Sequence, residues 1–155
     1  MPRSIGARAG VVVLMLAVAL TLRPLPAMAE NPDANAKWSI AIYAGASPFV
    51  LGPIEGERTP VLTAADVPAF PTRFVADPFL ARSGGTWFLF FEALNEQSGH
   101  GDIAYATSTD GLTWTYGGVA LNESFHLSYP YVFEWQGTWY MVPETYLRNA
   151  VRLYR

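Results

Sequence analysis

Three carboxylates are the residues of this chain whose surroundings best suit catalysis or ligand binding. Asp77 directly precedes Pro78, and proline disfavours helical backbone at the residue before it, so Asp77 is expected to be extended. A carboxylate held there could serve as a general base or nucleophile towards a glycosidic bond. The alternative is a structural aspartate in a turn, a common role for Asp-Pro sequences.

Glu92 and Glu144 each end an aromatic-rich run, and the two runs are copies of each other. A carboxylate that recurs in both copies favours an architectural role, in which it accepts backbone hydrogen bonds or pairs with an arginine. The alternative is that each glutamate contributes to a ligand site at the end of its strand. Both glutamates are therefore candidate substrate-binding residues.

A histidine, a hydroxyl and a phenol follow one another shortly before the second copy of this pattern begins. His126, Ser128 and Tyr129 lie there among apolar neighbours, which suits hydrogen bonding to sugar hydroxyls. His126 could also transfer a proton near neutral pH. The competing interpretation is a buried histidine whose nitrogens are satisfied by the backbone. Tyr129 stands where the first copy has Asp77.

An internal repeat positions these candidates. Residues 76–93 align without a gap to residues 128–145, and each residue of the second copy lies 52 positions after its counterpart. A period near fifty residues with four short strands per unit is typical of a β-propeller blade. The first unit is expected at 76–127 and the second at 128–155. The identical pairs are Pro78/Pro130, Gly85/Gly137, Thr86/Thr138, Trp87/Trp139 and Glu92/Glu144.

Strand and turn signals alternate along these units, and helical periodicity is absent after position 29, so the expected fold class is all-β. Gly84-Gly85 and Asp110-Gly111 predict hairpin turns. Five prolines make residues 47–75 mostly irregular. By their spacing, Trp87 and Trp139 are expected in the core between blades. The predicted strands are 38–43, 75–80, 86–92, 102–108 and 112–116, with a further strand starting at 151.

Composition excludes several classes of function. All 13 acidic residues lie after position 29, whereas three of the 10 basic residues precede it. Residues 30–155 therefore have a net charge of −6. A chain with this charge and no basic stripe is not expected to bind nucleic acid. The absence of cysteine excludes disulfides and cysteine-ligated zinc. No metal-ligand spacing, phosphate-binding loop or nucleophile elbow is present, so neither a metal nor a cofactor is expected.

The first 29 residues have the features of a secretory signal peptide. Arg3 and Arg8 precede an apolar run at 9–22, and Ala27-Met28-Ala29 forms a small-x-small cleavage site. The run is shorter than the roughly 20 apolar residues of a transmembrane helix, so no stable membrane anchor is expected. An uncleaved anchor is the alternative. The expected location is secreted or periplasmic, with a flexible tail at 30–37.

Several segments together resemble a known domain. They are residues 75–80, 87–92, 101–108, 110–114 and 126–133. The combination is similar to the five-bladed propeller domain at the N-terminus of glucosamine inositolphosphorylceramide transferases and of bacterial relatives, some fused to formyltransferase-like domains. That domain resembles in turn the propellers of family 43 glycoside hydrolases. The resemblance covers residues 38–155.

The resemblance implies a five-bladed propeller that handles glycans. Asp77 matches the Asp-Pro position of the general base in the first blade of the family 43 enzymes. Their second aspartate and their glutamate acid come from later blades, and Tyr129 stands where an aspartate of the second inner strand would be sought. In the transferase-type proteins, the resemblance assigns transfer chemistry to a separate downstream domain.

Residues 38–155 are expected to form about two blades of an incomplete propeller. A blade packs both faces against its neighbours, so two blades alone leave apolar faces in water. We therefore expect a fragment of a longer protein, with self-association through the unpaired blade faces as the alternative.

Three functions remain open on the sequence. The first is a glycan-binding module, inactive by itself, in a larger carbohydrate-active protein. The second is a truncated family 43-type glycoside hydrolase with Asp77 as its base, and the third is a structural fragment without a ligand. Fold analogy alone does not separate them. The expected partner is a glycan or glycoconjugate.

Overall fold

The computed structural model describes residues 37–155, so the predicted signal peptide and residues 30–36 of the predicted tail lie outside the described range. Within that range, two single-turn 3-10 helices occur, Ala64–Asp66 and Tyr146–Arg148. No helix there has the length and apolar character needed to span a membrane. The strands are β1 (Tyr43–Ser47), β2 (Val50–Pro53), β3 (Thr72–Ser83), β4 (Thr86–Asn95), β5 (His100–Ser108), β6 (Thr115–Leu121), β7 (Ser128–Trp135) and β8 (Thr138–Glu144).

The central sheet is an antiparallel meander of four strands in the order β3-β4-β5-β6. Its first hairpin turns at Gly84 and Gly85, whose φ angles of 56° and 85° suit a two-residue turn with both residues left-handed. This confirms the predicted Gly-Gly hairpin. The described chain is thus all-β, and its central sheet has the architecture of one propeller blade.

The second sheet, β7-β8, repeats the first hairpin of the central sheet. Tyr154 bridges Met141 on the free side of β8, as β5 pairs with β4 in the first unit, but the strand predicted to start at residue 151 is not formed beyond this bridge. The cross-strand pairs of the two hairpins lie 52 positions apart. The equivalent cross-strand pairs are Ala76–Glu92, Leu80–Leu89 and Ser83–Thr86 in the first hairpin, and Ser128–Glu144, Val132–Met141 and Trp135–Thr138 in the second.

Both faces of the central sheet are covered by apolar side chains. One face packs against the segment before β3, and the other meets the segment that leads into β7. Alternation along β4 explains this arrangement, because Leu89, Phe91 and Ala93 point to the first face while Phe90 and Glu92 point to the second. The second face therefore carries a buried glutamate next to the apolar cluster of Ile103, Phe125 and Leu127.

Several local predictions were wrong. The first strand begins at Tyr43 rather than residue 38, because the chain at Ile40 makes only an isolated bridge to Leu62. The fourth strand of the meander begins at Thr115 rather than residue 112. The Asp110 carboxylate accepts hydrogen bonds from the N–H groups of Leu112 and Thr113, both at 2.8 Å, and so extends the predicted two-residue turn.

The tryptophan prediction was also wrong. Trp87 and Trp139 are half-buried and do not belong to the buried cores of the described chain. The guanidinium carbon of Arg82, its cross-strand neighbour, lies 4.9 Å from the centre of the Trp87 ring, a cation–π contact at the hairpin end of the sheet.

Candidate functional site

A β-bulge interrupts the first strand of each hairpin at the same repeat position. The register of β3 with β4 shifts between Ala76 and Phe79, and that of β7 with β8 shifts between Ser128 and Tyr131. The bulged residues are Asp77 and Tyr129, and both have φ = 50°. A bulge redirects a side chain out of the alternation of the strand and is common next to active sites.

The expectation of extended backbone at Asp77 was therefore wrong. Its φ of 50° lies in the left-handed region, which aspartate tolerates better than most residues and a bulky residue such as Tyr129 rarely adopts. The local preference imposed by Pro78 is overridden because the register of β3 with β4 requires an extra residue at this point. Non-glycine residues that the surrounding structure holds in the left-handed region are concentrated at functional sites.

Glu92 lies directly across from the bulge, as the cross-strand partner of Ala76. Its residue surface is only 5% exposed. One oxygen of its side chain, Oε1, is buried without a hydrogen-bond partner among the described residues. A buried polar atom left in this way is costly and calls for an explanation.

The environment of Glu92 favours its protonated form. Burial raises the pKa of its carboxyl group from 4.5 to about 8, with further contributions from the charge of Asp77, the hydrogen bond to Asp77 and the charge of Glu144. At neutral pH, Glu92 is therefore a carboxylic acid that can donate a hydrogen bond or a proton. The charges of Asp77 and Glu144, which contribute to this shift, are both negative.

His126 approaches the same carboxyl group from the loop before β7. The Gly101 N–H donates to Nδ1 of His126 at 3.0 Å, so the neutral ring carries its proton on Nε2, which lies 3.6 Å from Oε1 of Glu92. Burial lowers the pKa of His126, and the nearby His100 adds to this effect, whereas the charges of Glu144 and Asp77 oppose it. The ring is accordingly neutral at pH 7.

The close approach of the His126 loop to Glu92 depends on the absence of a side chain at Gly101. A Cβ atom built on Gly101 would lie 2.4 Å from the Leu127 carbonyl oxygen and 2.7 Å from Oε1 of Glu92. Its carbonyl oxygen also accepts a hydrogen bond from the Leu127 N–H at 3.0 Å. Only glycine fits between the glutamate and the loop that carries the histidine.

Glu144 occupies the repeat position of Glu92 but has a different environment. It is exposed, and its Oε2 accepts a hydrogen bond from the Ser128 hydroxyl at 2.7 Å. Ser128 is also its cross-strand partner, so this bond ties the open end of β7 to that of β8. The recurrence of glutamate thus combines a buried carboxylic acid in one hairpin with a solvated carboxylate in the next.

Tyr129 presents an exposed aromatic ring at the second bulge. It is 59% exposed, and its ring packs edge-to-face against Phe79 with a centroid distance of 5.2 Å. Tyr131 meets the same Phe79 ring at 6.0 Å and is also exposed. Exposed aromatic rings of this kind can stack on the apolar face of a sugar.

Most of the predicted site residues interact with one another. Asp77, Glu92, His126 and Glu144 interact electrostatically, Ser128 contacts Glu144, and Tyr129 lies at the second bulge. Among the described residues, no three histidine, aspartate or glutamate side chains converge closely enough to hold a metal ion. The arrangement can donate a proton, accept hydrogen bonds and attract a cation.

One buried carboxylate was missed on the sequence. Asp102 is fully buried, and it accepts hydrogen bonds from the side-chain amides of Asn95 at 3.0 Å and Asn122 at 2.7 Å. These amides satisfy it as a structural group that ties β4 and β6 to β5. The two asparagines flank predicted strands, but only the strand register shows that they meet at Asp102.

Comparison with known proteins identifies a matching family. The family model described as glucosamine inositolphosphorylceramide transferase 1, N-terminal, matches residues 30–155. Glucosamine inositolphosphorylceramide transferase 1 of Oryza sativa subsp. japonica is 44% identical over 139 residues, which cover 80% of this chain and 19% of the relative. The protein of the same name from Arabidopsis thaliana is 41% identical over 138 residues, covering 79% of this chain and 18% of the relative.

A solved structure also shows similarity. It is a mutant of the GH32 beta-fructofuranosidase of Bombyx mori in complex with sucrose, with a TM-score of 0.45 and 20% sequence identity, covering 60% of this chain and 19% of that chain. The chain spans about a fifth of the length of the curated relatives it matches. On the family match over residues 30–155, the chain belongs to the family of glucosamine inositolphosphorylceramide transferase 1 N-terminal domains.

Proposed function

We propose that this chain is an exported glycan-binding module. In this proposal it forms the first blades of a five-bladed propeller in a larger protein that transfers a sugar. The observation that carries the proposal is the pair of bulges, which hold Asp77 and Tyr129 at equivalent positions, with the carboxylic acid of Glu92 across from the residue before Asp77. A carboxylate, a carboxylic acid and an exposed ring supply the hydrogen-bond acceptors, donors and stacking surface that a sugar requires.

Transfer of a sugar by the whole protein fits the names of the plant relatives, both of which are called glucosamine inositolphosphorylceramide transferase 1. In this proposal the present chain binds the glycan, and the transfer step belongs to another part of the protein. The proposed module acts by orienting its ligand, which lowers the entropic cost of a reaction elsewhere.

Glycoside hydrolysis is the second candidate, and Asp77 at its bulge is the observation that favours it. The two carboxyl groups of a glycosidase are about 5 to 9.5 Å apart. Hydrolysis would need a general acid placed at such a separation from Asp77, whereas glycan binding needs only hydrogen-bonding groups and an exposed ring, which makes glycan binding the better-supported function.

Glycan binding is tested with the full chain on a panel of neutral and charged oligosaccharides, compared with Tyr129→Ala. Loss of the exposed ring should weaken binding about tenfold, the effect of one stacking contact. Tyr43→Ala is the matched control, because Tyr43 is similarly exposed but lies on β1. No binding to any glycan would reject the proposal, and release of reducing sugar that stops in Asp77→Ala would favour hydrolysis instead.

Export is tested separately by the intact mass of the protein recovered outside the cytoplasm of its native host. An N-terminus at Glu30, directly after Ala27-Met28-Ala29, is the expected result. A product that keeps Arg3 and Arg8 would contradict cleavage and favour a retained anchor.

A further inference from the structure

The segment between β6 and β7 is attached to the first sheet through both backbone groups of one glycine. The Gly101 N–H donates to Nδ1 of His126 at 3.0 Å, and the Gly101 carbonyl oxygen accepts from the Leu127 N–H at 3.0 Å. The pairing of β6 with β5 stops at Ile103, so residues 126–127 occupy the edge of β5 that β6 leaves unpaired. This contact joins the start of the second hairpin to the first sheet.

The chemistry of imidazole makes one of these two bonds dependent on protonation. Nδ1 of His126 accepts the Gly101 N–H through its lone pair, so this nitrogen cannot carry a proton while the bond exists. The neutral ring keeps its proton on Nε2, 3.6 Å from Oε1 of Glu92. A charged ring has a proton on both nitrogens, so no rotation of it offers Gly101 an acceptor. Protonation of His126 therefore breaks the bond.

Charged and titratable groups surround His126 on four strands and on the segment after β8. They are Asp77 on β3, Glu92 on β4, His100 on β5, Glu144 on β8, and Arg148 and Arg152, which lie over the neighbouring Phe125 ring, with Glu123 paired to Arg152. Burial lowers the pKa of His126 most strongly, the charges of Glu144 and Asp77 raise it, and His100 lowers it further. The ring thus has one bond that requires its neutral form and carboxylates that favour its charged form.

We propose that the contact of Gly101 with residues 126–127 is a pH-sensitive latch, closed while the His126 ring is neutral and open once the ring carries a second proton. An open latch uncovers Glu92, because a Cβ atom built on Gly101 would lie 2.7 Å from Oε1 of Glu92 and 2.4 Å from the Leu127 carbonyl oxygen. It also loosens the segment that leads to Tyr129 at the second bulge. The latch goes beyond the proposed function and requires no glycan.

Neighbouring contacts confine the opening to the latch. Before it, the Arg148 guanidinium donates to the Ser124 hydroxyl at 3.1 Å. After it, the Ser128 hydroxyl donates to Glu144 at 2.7 Å. Neither bond involves an imidazole, so both are expected to persist while the latch opens.

The test is amide hydrogen exchange of the full chain, followed by NMR at pH 7 and pH 5 and expressed as protection factors. The open ring titrates with the ordinary histidine pKa of about 6.5, whereas the closed ring takes up no proton at Nδ1, so opening should become about 25-fold more favourable over this range. The protection factors of the Gly101 and Leu127 N–H groups should fall by that factor. The Phe91 N–H, in the middle of β4, is the internal control and should change less than about threefold.

Two variants assign the change to one histidine. His126→Asn places an acceptor oxygen one bond from Cγ, as Nδ1 is in histidine, and cannot titrate, so the protection factor of Gly101 should be the same at both pH values. His100→Asn is the matched control. Nδ1 of His100 lies 3.4 Å from the Gly101 carbonyl oxygen, an acceptor that a charged ring can still face, so the fall in protection should persist in this variant.

Four results would overturn the latch. An unchanged Gly101 protection factor in the wild type would show that the bond does not depend on pH. An equal fall at Phe91 would mean that acid loosens the whole sheet. Persistence of the fall in His126→Asn, or its loss in His100→Asn, would assign the change to another group. Glycan binding is decided separately by the oligosaccharide panel.

Discussion

The two hairpins have the same backbone arrangement but differ in the residue at the bulge and in the burial of the glutamate. Each has a bulge with φ = 50° and a glutamate across from the residue before the bulge. In the first hairpin the bulge carries Asp77 and the glutamate is buried, whereas in the second it carries Tyr129 and the glutamate is exposed. The shared backbone thus fixes the position of each glutamate, whereas the neighbouring side chains determine how deeply it is buried.

The largest expected effect comes from Glu92→Gln, which removes the titrating group and keeps its shape. Because the folded pKa of about 8 exceeds the ordinary 4.5, this group stabilises the fold fully below pH 4.5, and that stability is lost as pH rises to about 8. The shift corresponds to roughly 5 kcal/mol at most. Urea unfolding from pH 5 to 8.5 should show the decline in the wild type and a much flatter profile in the variant.

Glu134→Gln is the control for that experiment, because Glu134 is exposed on β7 and its loss should leave the decline unchanged. His126 acts with the opposite sign, because its folded pKa lies below 6.5, so its contribution to stability is lost as pH falls below 6.5. This loss should persist in Glu92→Gln. Equal slopes in the wild type and Glu92→Gln would show that Glu92 is ionised at neutral pH.

Gly101→Ala should destabilise the protein by about 1 to 3 kcal/mol, the usual range for overpacking. The new Cβ would meet the Leu127 carbonyl oxygen and Oε1 of Glu92, neither of which can withdraw easily. Gly52→Ala is the control, because a Cβ there has no atom within 4 Å, and its cost should stay near 0.5 kcal/mol or less. Similar thermal unfolding midpoints for the two variants would contradict the close packing around Glu92.

Asp77→Asn separates burial from charge in the first hairpin. The pKa of Glu92 should fall by about one unit, since one neighbouring charge is removed, and should remain well above 4.5, because burial is the largest cause of the shift. Carbon NMR titration of the glutamate carboxyl groups measures this. Tyr129→Asn should leave the value unchanged, and a full return to 4.5 in Asp77→Asn would mean that burial contributes little.

Ser128→Ala should have the smallest effect, about 0.5 to 1 kcal/mol. It removes the 2.7 Å hydrogen bond to Glu144, whose oxygen can then bind water. The substitution makes the second hairpin match the first, where Ala76 already stands at this position. A loss above about 2 kcal/mol in chemical unfolding would show that the second hairpin depends on this bond more than its exposure suggests.

The repeat carried most of what the sequence could predict. An offset of 52 positions and paired glycine turns were enough to align two hairpins and to group Asp77, Glu92 and Glu144 at one end. The left-handed backbone at Asp77 was not predictable from its own neighbours, because it depends on the register of β3 with β4. Gly101 and Asp102 were missed for the same reason, since their partners are distant in sequence.

The bulge also determines which sequence position can vary in this family without a change in strand register. A bulged residue does not take part in the alternation of side chains along the strand. The residue type at this position can therefore differ, as between Asp77 and Tyr129, while the flanking cross-strand pairs keep their register. Each hairpin then keeps a constant backbone with one position whose residue type is free to vary. In alignments of relatives, a single column, rather than a conserved block, would record changes in what the domain binds.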